Sequence, residues 1–125
     1  WMLVLASVRA GVYEEIVMRL FLMTILAGLG GLVQREEDGR PSPKAMWCAV
    51  ILSGFLFGYG HIDQVVPTPE IFGALILILL LNTMFGIVFG WLYWKQGLES
   101  AILAHFMVDA VGSGIVIPAY LSNNP

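Results

Sequence analysis

The chain has 125 residues, 58% of them hydrophobic and 12% charged, with a formal net charge of -3. Soluble domains average about 25% charged residues, so this composition excludes an ordinary water-exposed domain and points to a chain solvated by lipid. No cluster of Lys and Arg is present to neutralise phosphates, which excludes a nucleic-acid partner.

The first apolar segment is expected over residues 11–33, and it carries Glu14, Glu15 and Arg19 among otherwise greasy neighbours. An ionisable residue inside such a segment marks a functional-site candidate. On a helix, residues four apart lie on nearly one face, so Glu15 and Arg19 can pair while Glu14 points about 100° away. Pairing offsets the burial of two charges, whereas an unpaired, desolvated Glu14 becomes a candidate general base. The alternative is a purely structural ion cluster, or an interfacial triad at the helix end.

Gln34 to Lys44 (QREEDGRPSPK) forms the first loop, and a second apolar segment follows over 45–62. It holds Cys48, the single cysteine, which excludes an intrachain disulfide; Trp47, Ala49 and Val50 around it predict a small packed side chain. Phe57 and His61 share a helix face, so the aromatic ring can shield the imidazole from bulk water, although a lone His where a span meets a loop can also be merely interfacial. His61 to Pro69 (HIDQVVPTP) closes this segment, its prolines stopping a helix before Glu70, which can then sit in the first turn of the next.

The third segment, 70–94, contains Ile71 to Trp94 without one charged residue, Asn82 and Thr83 being its strongly polar side chains. At about 1.5 Å per residue it is long enough to cross a hydrocarbon core of about 30 Å. Trp91, Tyr93 and Trp94 place an aromatic belt at its exit, ahead of a short turn, Lys95 to Leu98. In the fourth segment, 99–121, His105 and Asp109 stand four apart in a stretch where Ser113 is the other polar side chain between Ala101 and Val116. Two buried polar groups on one face need partners, whether structural or catalytic. Glycines repeated at four-residue spacing, Gly54 with Gly58 and Gly86 with Gly90, are expected to let helices approach closely.

Arg35, Arg40, Lys44 and Lys95 put the first and third loops in the cytoplasm by the positive-inside rule, and the second outside. The chain starts at Trp1 without a basic segment and cleavage site, so a signal peptide is not expected, and it reads as one membrane-embedded unit, 1–125, from the core of a larger membrane protein.

In chain order the polar residues spell EExxxR, FxxxH and HxxxD on three helices. This set resembles the three motifs of the CPBP family, the CAAX-protease and bacteriocin-processing intramembrane peptidases. Ser53 to His61 (SGFLFGYGH) and Gly97 to His105 (GLESAILAH) look like the family's surroundings of the second and third motifs, and the resemblance extends over about residues 11–112. It implies that Glu14 and His61 activate water for attack on a peptide carbonyl, that His105 and residue 109 stabilise the oxyanion, and that Glu15, Arg19 and Phe57 support them.

The family often has Asn at the last position of the third motif, where this chain has Asp109, and an ionised carboxylate cannot donate a hydrogen bond. Three accounts are open: Asp109 is protonated in its apolar site, it orients His105 by accepting from a ring N–H, or it binds a metal. Orientation of His105 is favoured, and no cofactor is favoured. Glu14, His61, His105 and Asp109 nevertheless form an oxygen and nitrogen set suited to a divalent metal such as zinc. Other intramembrane protease chemistries fit less well, since there is no HExxH helix and no pair of aspartates within the spans, and Ser113 between two glycines is a short pattern.

The expectation is an all-α polytopic transmembrane bundle of about four spans, integral to the cell membrane of a prokaryote. It would cleave a peptide or protein substrate at the lipid bilayer with a glutamate-dependent mechanism. The alternative is a non-catalytic membrane protein, a bacteriocin-immunity or transporter-like chain that uses the same polar cluster for binding.

Overall fold

The computed structural model describes residues 2–62, 71–116, 118 and 122, and among them every regular element is helical. The first helix is continuous but changes pitch: α1 (Met2–Glu15) passes into a π-helical segment, Ile16–Met23, and then into α2 (Thr24–Val33). It starts earlier than the sequence indicates. Wide π-helical turns leave main-chain groups poorly matched, and the Thr24 hydroxyl caps the segment by donating to the Arg19 carbonyl at 3.0 Å.

The first loop folds back through a bridge between Arg35 and Pro41, and the Arg35 side chain donates to the Gly31 carbonyl at the end of α2. α3 (Pro43–Tyr59) begins where Ser42 accepts from the Ala45 N–H, with Pro43 at the first turn, where no donor is missed. α4 (Ile71–Gln96) leads into α5 (Leu98–Val111) through Gly97, whose φ of 98° lies in the region that glycine enters without steric penalty. A π-helical turn, Gly112–Val116, extends α5. The second loop from Asp63, its two prolines, Glu70 and most of the chain beyond Val116 fall outside the described residues.

α3 and α4 are antiparallel and held in register by the glycines. A methyl added at Gly86 would stand 2.9 Å from the Gly54 Cα, and one at Gly58 would stand 2.7 Å from the Leu79 carbonyl oxygen. Such separations exist only where both backbones need the space, so these are packing glycines. α1 lies against α5 through Gly11, within 3.4 Å of the Ile102 carbonyl oxygen by the same measure. Met23, Ala27, Ala49 and Val50 form one small core, and Phe57, Phe89 and Ala101 another.

The outside is apolar. Ser7–Val33 and Ile71–Gln96, of 27 and 26 residues, are long and apolar enough to cross a membrane, while α3 is shorter. Only 6% of the apolar window of the second is buried inside the protein, which rules out a buried core helix. Phe21, Leu29, Phe72, Ile76, Leu80 and Leu103 all face outward, and a surface of this kind is stable only with lipid around it. The protein is an all-α membrane bundle, and among the described residues two of its helices meet that length on their own. Cys48, expected to be packed, is on the outer face of α3 instead. Residues 45 and 49 take the inward positions there, and a thiol is small and apolar enough to face lipid.

The register of α3 on α4 also sets depth. Gly58 lies opposite Leu79 and Thr83, so α3 ends well short of the start of α4, which overhangs it by about 12 Å at about 1.5 Å per residue. His61, two residues beyond α3, is therefore sunk within the bundle and not at its rim.

Candidate active site

Glu15 ends α1 and Arg19 lies one turn later in the π-helical segment; both are 0% exposed, and Arg19 Nε donates to Glu15 Oε2 at 2.8 Å. Arg19 Nη1 also donates to the Ser53 hydroxyl of α3 at 3.3 Å, and the guanidinium lies 5.5 Å from the centre of the Phe57 ring. The second carboxylate oxygen of Glu15 faces α5, where it accepts from His105 Nδ1 at 3.0 Å. One buried carboxylate thus ties a guanidinium on its own helix to an imidazole on another.

His105 is enclosed by aromatic rings. Phe89 stacks on it at 4.9 Å and Phe57 meets it edge-on at 5.5 Å, so with Nδ1 held by Glu15 the ring has no freedom to turn. His61 is fixed in a similar way, its Nδ1–H donating to the Phe57 carbonyl at 2.7 Å and its ring 4.6 Å from that of Phe57. A carbonyl only accepts, so the proton is on Nδ1, and Nε2 of His61 is the atom left for chemistry.

Both Nε2 atoms point at the same carboxylate. Glu14 Oε2 is 3.6 Å from His61 Nε2 and 3.8 Å from His105 Nε2, while Asp109 Oδ2 lies 3.8 Å from His105 Nε2. Glu14 Oε2 is buried and has no hydrogen-bond partner. These separations are too long for a direct hydrogen bond and short enough for one water to reach both groups. The four side chains line a single cavity of about 250 Å³, together with Phe57, Phe85 and Phe89 and with Asn82 of α4.

The structure thus brings together Glu14, His61, His105 and Asp109, with Glu15, Arg19 and Phe57 directly behind them. One expected relation is absent: Asp109 Oδ2 stands 3.8 Å from His105 Nε2, too far to accept a hydrogen bond, and the ring N–H that is held, on Nδ1, goes to Glu15. Spacing along α5 favoured Asp109, but Glu15 comes closer from the neighbouring helix. Ser113 donates to the Asp109 main-chain carbonyl at 2.6 Å and stays outside this chemistry. Sequence reasoning did not find the contribution of Ser53, Phe89 or the Glu15 contact to His105. The available signals were the spare oxygen of Glu15 and the serine that opens SGFLFGYGH; for Phe89 there was none.

Among the described residues no group of three or more His, Cys, Asp or Glu side chains is arranged to hold a metal ion. In three of the donor pairs the atoms stand 3.6 to 3.8 Å apart, close to the roughly 3.4 Å edge of a tetrahedron with zinc bonds of about 2.0–2.1 Å. Glu15, the nearest further carboxylate, is already engaged by Arg19 and His105.

Fold and site together define an integral membrane protein with a carboxylate and imidazole cluster enclosed between its helices. The chain belongs to the type II CAAX prenyl endopeptidase Rce1-like family, which it matches over residues 1–111, a range that includes every residue of the cavity. It is accordingly a CAAX-type protease acting on protein substrates at the membrane. It matches none of the curated proteins and none of the solved structures compared with it.

Proposed function

We propose that the chain hydrolyses a peptide bond inside the membrane with water activated by Glu14 and His61, using His105 to stabilise the oxyanion. The observation that carries this reading is the convergence of two Nε2 atoms on Glu14 Oε2 while both Nδ1 atoms are tied elsewhere. A water donating one hydrogen to Glu14 and the other to His61 Nε2 has its lone pair free for a carbonyl carbon. Glu14 takes the proton as the oxygen attacks and returns it to the leaving amine.

His105, doubly protonated, donates from Nε2 to the oxygen that gains charge, while Glu15 steadies the imidazolium from behind; a donor so placed is worth about 3 to 4 kcal/mol. Asp109 lies beside the same Nε2 and supports its charge. Phe57, Phe85 and Phe89 give the cavity an apolar wall beside these groups, which strengthens each of these interactions. The family points to substrates that end in a prenylated Cys-aliphatic-aliphatic-X sequence. No metal enters the mechanism.

The test is cleavage of a fluorogenic farnesylated peptide with such an ending by the protein reconstituted in lipid vesicles. The parent should cleave and Glu14→Gln should not. A parent that binds the peptide without cleaving it would support the non-catalytic alternative.

A further inference from the structure

Asn82 is the one side chain of the cavity that is polar yet neither ionisable nor part of the three motifs. It lies on α4, in the stretch Ile71 to Trp94 that carries no charge. It borders the cavity together with Glu14, His61, His105 and Asp109. An amide here needs a reason, because a leucine would suit the surrounding lipid and aromatic rings better.

One of the four hydrogen bonds that its amide can make is accounted for. Nδ2 donates to the Ile78 carbonyl one turn earlier at 2.9 Å, and since that carbonyl only accepts, the amide nitrogen must be the atom facing the helix. One amide hydrogen and the oxygen, Oδ1, are left without a partner among the described residues. A donor and an acceptor side by side match the N–H and C=O of one extended residue, which point to the same side of a strand, and either of them alone can engage a single main-chain amide. The other polar groups at the cavity carry protons or charge for the reaction, so none of them is free to read the peptide backbone.

Resting on the peptidase reading above, we propose that Asn82 is a substrate-binding residue that hydrogen-bonds a main-chain amide of the peptide beside the scissile bond. The Ile78 contact holds the amide in place, so it engages the peptide without reorganising. Recognition of backbone and not of side chains would let one site accept a range of residues at the aliphatic positions.

The experiment compares the parent and Asn82→Leu, both full-length and in vesicles, on the farnesylated peptide and on a set in which each non-scissile amide in turn is replaced by an ester. An ester removes one N–H and weakens one acceptor while preserving shape. Asn82→Leu should lower kcat/KM about fivefold to tenfold on the parent peptide, the effect of one neutral hydrogen bond. In the parent enzyme one ester should cause a similar loss, and in Asn82→Leu that same ester should cause no further loss. Asn82→Gln serves as a second variant that keeps the amide; its activity should exceed that of Asn82→Leu.

Parent-level kcat/KM for Asn82→Leu overturns the proposal, and so do ester and mutational losses that multiply independently, since both place Asn82 outside the substrate contact. Absence of cleavage by the parent removes the peptidase reading and this proposal with it, whereas cleavage by the parent with uncoupled losses removes the proposal alone.

Discussion

Replacing Glu15 by Gln keeps the shape of the side chain and removes one charge from the most enclosed point of the bundle. Glu15 is 0% exposed and accepts two hydrogen bonds, at 2.8 Å from Arg19 Nε and at 3.0 Å from His105 Nδ1. A carboxylate can satisfy both donors, but a glutamine presents one oxygen and one NH₂, so one of the two meets another donor. The larger effect falls on Arg19, equally buried, which keeps only a 3.3 Å hydrogen bond to Ser53 and has Nη2 without a partner. Stranding a buried charge costs about 3–5 kcal/mol, and Glu15→Gln should lose stability by that amount in reversible unfolding in mixed micelles. Adding Arg19→Met removes the stranded charge, so the double variant should regain most of the stability. It should not regain activity, because His105 still lacks the charged acceptor that holds its ring. A Glu15→Gln protein within about 1 kcal/mol of the parent would refute the reasoning, since no other described residue can neutralise Arg19 at that depth.

Three other outcomes follow from the same geometry. Glu14→Gln should abolish cleavage and change stability by less than about 1 kcal/mol, because Glu14 Oε2 makes no hydrogen bond whose loss would count; a comparable fall in both quantities would contradict its separation from Glu15. Asp109→Asn should retain substantial activity, since Glu15 and not Asp109 holds His105, and the amide can donate toward the oxyanion. Cleavage assays with and without chelator, alongside metal analysis, check this: stoichiometric metal, activity lost to chelator and restored by a divalent ion, and a dead Asp109→Asn would establish a metallopeptidase. Gly58→Ala should cost about 1–3 kcal/mol by overpacking and should reduce activity, because its methyl would stand 2.7 Å from the Leu79 carbonyl oxygen and push away the end of α3 that carries His61. Gly73→Ala, with nothing within 4 Å, is the neutral control for the thermal unfolding measurement.

Contacts between residues four apart, along a helix or across its last turn, were legible in the sequence because helical spacing dictates them. Glu15 with Arg19 and Phe57 with His61 both occur where a separation of four residues puts them. The same rule misassigned the partner of His105. His105 and Asp109 do share a face, at 3.8 Å, but spacing says nothing of a residue on another helix that comes closer, and Glu15 does so at 3.0 Å. A carboxylate with one oxygen bound to Arg19 has a second to satisfy, so the chemistry left room for this contact without naming its partner. Cys48 shows a related limit, because apolar neighbours in a membrane helix are as common on the lipid side as on the packed side.

Depth was the quantity that periodicity could not supply. Counting spans from residue 11 and ending the second at 62 places Glu14 and His61 near one membrane face, while the fourth helix enters from the other, which would separate His61 from His105. Two features remove the conflict. The first helix begins by Met2, so Glu14 is well inside it. The glycine contacts of α3 with α4 set Gly58 against Leu79 and Thr83, so the short helix stops partway along its longer neighbour, and the His61 side chain lines the same cavity as Asn82 and Phe85. The four-residue spacings of Gly54 with Gly58 and of Gly86 with Gly90 were visible in the sequence as packing signals. They were in fact a register, and the register is what carries His61 down to the carboxylate it serves.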